Sequence, residues 1–197
     1  MIGGSYKRRD EFHEKQTEAV EEALRLGELQ TGRGLNQELG LGRAGDTRWG
    51  SHYKTFTNMI LMFAPIIDVL DVIASHGNHS PYRVAAQSSL YALQKFEFAF
   101  LLYLMKLVLG ITNALSQALH IRDQNIVNGI SLLIIAKRQL REARDQGWDA
   151  SLNSVSSFCV KYDTKIPNMD AFHIIRGKPE RRVSKITNEH YDCIDVF

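Results

Sequence analysis

A chain of 197 residues with 44% hydrophobic side chains is long and apolar enough to build a core, which argues against wholesale disorder. Its 24 basic and 22 acidic side chains leave a net charge of +2, so nothing general draws it to nucleic acid or to an anionic membrane. Any DNA contact must be local.

Residues 6–26 place Phe12, Ala19, Ala23 and Leu26 at helical spacings among many charges, which predicts an exposed amphipathic helix. The ten residues that open the chain hold Lys7, Arg8 and Arg9 but no apolar run of signal-peptide length, so the expected compartment is the nucleus or, alternatively, the cytoplasm. Past Gly27, a series of glycines from Gly32 to Gly45 breaks any helical period and leaves short pieces that could be extended.

From Ser51 to about Ser75, the residues Phe56, Met59, Ile60, Phe63, Ile67 and Leu70 return at steps of three and four, predicting a helix that Pro65 kinks. Asn78, Ser80 and Pro81 then make a turn. Residues 84–119 read as one long helix or two, with Leu93, Phe96, Phe100, Leu104, Val108 and Ile111 on one stripe and Gly110 as the weak point. The most apolar stretch, residues 96–111, is interrupted by Glu97 and Lys106 and falls short of the roughly 18 to 20 residues of a bilayer span. It reads as a buried helix, and no membrane partner is expected.

A further helix is expected over residues 123–145, capped by Asp123 and carrying Lys137, Arg138, Arg141 and Arg144 towards its carbonyl end, with Gly147 as its stop. Leu152, Val155, Phe158 and Cys159 mark another over residues 148–162, ended by Ile166-Pro167-Asn168. From Met169 the apolar density falls, and an exposed, partly disordered basic linker is expected. Residues 191–197 then look like the start of a new element.

The two cysteines, Cys159 and Cys193, have no CxxC spacing and no histidine at finger-like distance, so reduced thiols are the plain reading. None of the seven histidines forms a spaced pair suggesting a closed metal site. Neither a phosphate loop of the Gly-x-x-x-x-Gly-Lys type nor a Gly-x-Ser-x-Gly elbow occurs, which leaves no support for a small-molecule substrate.

At Gly45-Asp46-Thr47-Arg48-Trp49-Gly50-Ser51 the chain resembles the acidic-Thr-Arg-Trp signature of hAT transposases, in the version carried by transposon-derived plant proteins with TTF-type or MYM-type zinc fingers. Gly3-Gly4-Ser5-Tyr6-Lys7-Arg8-Arg9-Asp10 and Gly32-Arg33-Gly34-Leu35-Asn36-Gln37-Glu38 are similar to that subgroup's run-up to the signature. Downstream, Leu109-Gly110-Ile111-Thr112-Asn113, Gly147-Trp148-Asp149 and Phe158-Cys159-Val160-Lys161-Tyr162 resemble its helical region.

The resemblance implies a mainly α chain: a fragment of an RNase H-like α/β catalytic domain followed by its inserted helical domain. The implied divisions are a partial transposase core over 1–54, the insertion over 55–168, and a basic linker with the start of the next element over 169–197. Three acidic residues hold Mg in that family, and Asp46 matches the second; the other two have no match in these residues. Two-metal phosphodiester chemistry needs the whole set, so the expected state is a transposase remnant without enzymatic activity.

On residue type alone Asp46 reads as a helix cap, and only the resemblance makes it a former metal ligand. Arg48 and Trp49 could touch DNA, although a tryptophan there is more often packed in a core. Arg181, Arg182 and Lys185 belong to a tail that could serve as a nuclear address or a DNA arm. The Lys137–Arg144 cations read first as a solvated face. The alternative function is a repurposed helical module that binds protein or DNA, with self-association through exposed helix faces.

Overall fold

The computed structural model describes residues 49–76, 80–121, 125–173 and 186–196, together with Glu14 and Thr17. Of these 84% are helical and none lies in a strand, so the described chain is mainly α. It divides into two compact units, Met1–Gln94 and Lys95–Phe197.

The first unit contains α1 (Trp49–Leu61), α2 (Phe63–His76) and α3 (Ser80–Leu93). The single kinked helix expected across Pro65 is in fact two helices, broken at Met62 and bent by 70°. Proline explains the position of the break. Pro65 has no N–H for the carbonyl of Leu61, four residues back, and its ring crowds that same carbonyl. The break also resets the helical phase, so the buried stripe becomes Phe63, Ile66, Val69, Leu70 and Ile73. Phe56, Met59, Ile60 and Ile67 of the predicted stripe are only half-buried.

Helix α2 packs on α3, which buries Ala86 and Leu93. Arg83 donates from Nε to the carbonyl of Ala74 at 3.1 Å, satisfying one of the last carbonyls of α2, which lack partners within their own helix. Pro81 sits in the first turn of α3, where its missing N–H costs nothing.

The second unit is built on α4 (Phe96–Leu119), α5 (Ile126–Gln146) and α6 (Trp148–Lys161), which pack on one another. Gly110, the predicted weak point, stays inside α4. The chain instead leaves helical geometry at Lys95, whose ψ is 147°. At 24 residues α4 outgrows the stretch expected for it, and by length and composition it is long and apolar enough to cross a membrane, as is the bent pair α1–α2. Phe96, Ala99, Phe100, Leu102 and Leu109 are buried while Leu101, Met105 and Leu119 are exposed, so the expectation of a buried helix holds for one face.

Aromatic side chains join α4 to α6. The Phe100 ring meets Trp148 edge-on at 5.7 Å, and Tyr103 meets Phe158 in the same way at 5.5 Å. Edge-to-face pairs of this kind add about 0.5–1.5 kcal/mol beyond the area they bury.

The cap of α5 is Asn125, whose side chain accepts the Asn128 N–H at 2.8 Å, rather than Asp123, which lies outside the described residues. Gly147 ends α5 as expected: its N–H reaches the Ala143 carbonyl at 2.8 Å, and a Cβ there would collide with that carbonyl. The same glycine immediately precedes α6, so one residue joins the two helices. Helix α6 stops earlier than the proline signal suggested. Asp163 adopts a left-handed φ of 51°, and the Thr164 N–H turns back to the Cys159 carbonyl at 2.8 Å, closing the end as a Schellman motif.

Candidate functional site

Of the residues to which the sequence assigns a role, Asp46, Arg48, Arg181, Arg182 and Lys185 lie outside the described residues, and Trp49 enters only as the backbone that opens α1. Among the described residues no three His, Cys, Asp or Glu side chains gather where they could hold a metal ion. Asp46, the one residue matched to the magnesium site that the resemblance implies, is not among them.

The cations of α5 are exposed, and two are already matched: Arg138 with Glu142 at 3.5 Å and Arg144 with Asp145 at 2.8 Å. Only Arg144 stands in the last helical turn, so the expected complement to the helix dipole is a single charge. Trp148 is buried against Phe100.

The side chains with unusual chemistry gather elsewhere, in a clasp between residues 168–173 and 186–193. Phe172 pairs with Thr187 in an isolated antiparallel bridge. The His173 N–H donates to the Ile186 carbonyl and the Asn188 N–H to the Ala171 carbonyl, both at 2.9 Å. Asn188 also donates from Nδ2 to the Asn168 carbonyl at 2.8 Å. A short helix, α7 (Asn188–His190), follows and runs into a π-type turn, Tyr191–Val196. Thr187 caps α7 by accepting the His190 N–H at 3.2 Å. The described parts of the segment expected to be an exposed linker are thus bonded to each other, while residues 174–185, its basic middle, lie outside the described residues.

Within the clasp the imidazole of His173 lies flat on the Tyr191 ring at 3.8 Å, with Nδ1 3.2 Å from Asn188 Oδ1. Asp192 is only 7% exposed. Burial pushes its carboxyl up to about 6, opposed by the charge of His173 and reinforced by Glu97. Cys193, next in the chain, is raised by burial and by Glu189 and Asp149, and Cys159 by burial alone. Both are free thiols, and at neutral pH they stay protonated and weakly reactive.

No family model and no solved structure matches this chain.

The clasp thus holds a carboxyl whose titration burial moves up to about 6, in the field of the His173 imidazole. Nothing in the sequence announced it, because His173 and Asp192 are separated by eighteen residues and the bridge between Phe172 and Thr187 is what draws their two stretches together.

Proposed function

We propose that this chain is a remnant of a hAT-type DNA transposase that neither cuts nor joins DNA. The observation that carries the reading is the signature from Gly45 to Ser51, flanked on both sides by stretches ordered as in the plant TTF-type and MYM-type subgroup. In that reading, residues 1–54 are part of an RNase H-like core and residues 55–168 are its helical insertion. The mainly helical architecture beyond Trp49 is in keeping with the second of these.

Taken by themselves, these residues carry an incomplete ligand set. Two metal ions that activate one oxygen and steady another need several carboxylates in a fixed array, and Asp46 is the one match in these residues. Magnesium and a nicked or hairpin DNA are therefore expected to give no strand cleavage or joining on a denaturing gel. Metal-dependent cutting that disappears in Asp46→Ala would overturn the proposal.

A second reading, a helical module retained for binding, is favoured by one specific observation: apolar side chains stand exposed along α5. Arg48, Trp49, Arg181, Arg182 and Lys185 would be the first candidates for DNA contact, in the nucleus. A salt titration separates the two kinds of partner, since phosphate contacts weaken steeply with salt and apolar association does not.

A further inference from the structure

The outer face of α5 is apolar where a surface helix is ordinarily polar. Its inward side is a stripe of Gly129, Leu132, Ala136, Leu140 and Ala143, all buried or half-buried. Roughly 130° away around the helix, at about 100° per residue, stand side chains of the opposite exposure. Ile126 is 83% exposed, Val127 71%, Ile130 53%, Leu133 46% and Ile134 61%. A helix that is apolar on both sides is built for two partners, and among the described residues α4 and α6 pack on the inward side.

We propose that this face joins two copies of the chain, with the two α5 helices antiparallel about a two-fold axis near Ile130. Area is the first support. The five side chains leave open roughly 600 Å², the upper end of what a monomer usually exposes as one apolar patch. With a polar rim, that approaches the roughly 800 Å² each partner covers in a standard interface.

Charge selects the direction. The same face continues into Lys137 and Arg141, neither of which forms an ion pair among the described residues. In an antiparallel pair centred on Ile130 the apolar halves meet. At about 1.5 Å per residue, each Lys137 then stands roughly 20 Å from its counterpart and each Arg141 roughly 33 Å, beyond the ~8–10 Å over which charges act at ordinary salt. A parallel pair would set these cations side by side. An isologous contact of this kind closes on itself and builds no chain of copies. The inference stands on the exposed face alone and is independent of the transposase reading.

Sedimentation equilibrium of the full chain across a wide concentration range is expected to show a mass rising from one copy to two. Ile130→Glu sets two carboxylates against each other at the axis and is expected to weaken association by on the order of a hundredfold, with helix content by circular dichroism unchanged. Ile130→Cys, whose sulfurs would meet at the axis, is expected to give a disulfide-linked dimer on a non-reducing gel, whereas Gln139→Cys, off the face, does not. The cross-linking comparison decides the matter if Ile130→Glu fails to fold. Three results would overturn the proposal: a monomer at every concentration, a dimer indifferent to a folded Ile130→Glu variant, or a monomer that instead floats with phosphatidylcholine–phosphatidylserine vesicles through this face.

Discussion

Replacing Phe100 by alanine removes a ring that is 2% exposed and lies between Phe96, at 6.1 Å, and Trp148, at 5.7 Å. A buried Phe→Ala change costs about 3–5 kcal/mol, from lost transfer energy and from the cavity left behind. The upper half of that range is expected here, because both neighbouring rings lose a partner and helical backbones limit collapse into the space. Domain stabilities run about 5–15 kcal/mol, so the second unit would be left marginal. With roughly 4–8 °C per kcal/mol for a domain near 100 residues, its Tm falls by on the order of 15–40 °C. Urea and thermal unfolding followed by tryptophan emission in a Trp49→Phe background read this out, since Trp148 then reports alone. A loss below about 1 kcal/mol, or Trp148 emission unchanged by the substitution, would show that α4 and α6 do not meet as described.

Asn125→Ala removes the side-chain acceptor of the Asn128 N–H and is expected to destabilise α5 by about 1 kcal/mol; Asn125→Asp should retain nearly all of that stability in the same denaturant titration. For Asp192, folding raises the carboxyl from 3.8 to about 6, so the native state holds a proton that the unfolded chain has released between those values. Its contribution to stability is therefore fully present below pH 4 and lost as pH rises through 6, by at most about 3 kcal/mol. Asp192→Asn, an uncharged mimic, should match the wild type near pH 4 and exceed it at pH 7. Equal pH slopes in the two proteins would refute the burial argument.

Much of the helical content was legible because the responsible residues act locally. Gly147 stops α5 through its own close approach to Ala143, and the apolar spacing of Val155, Phe158 and Cys159 is the buried side of α6. Where prediction slipped, the cause lay outside the residue that carried the signal. Pro65 breaks the helix upstream of itself, at the carbonyl it cannot serve. At Asp163 a left-handed residue ends α6 before the proline is reached, and Lys95 separates α3 from α4 with neither glycine nor proline to mark it. The outward isoleucines of α5 were hidden for a different reason: periodicity shows that a residue is apolar, not whether a neighbour arrives to cover it. Residues 45–48, which open the stretch that carries the resemblance, lie outside the described residues.

The bridge between Phe172 and Thr187 holds together two points of the chain fifteen positions apart. Closing a loop has an entropic cost that grows only with the logarithm of its length, so doubling it costs about 0.6 kcal/mol. The bridge is therefore expected to survive a modest lengthening of the chain between its two ends.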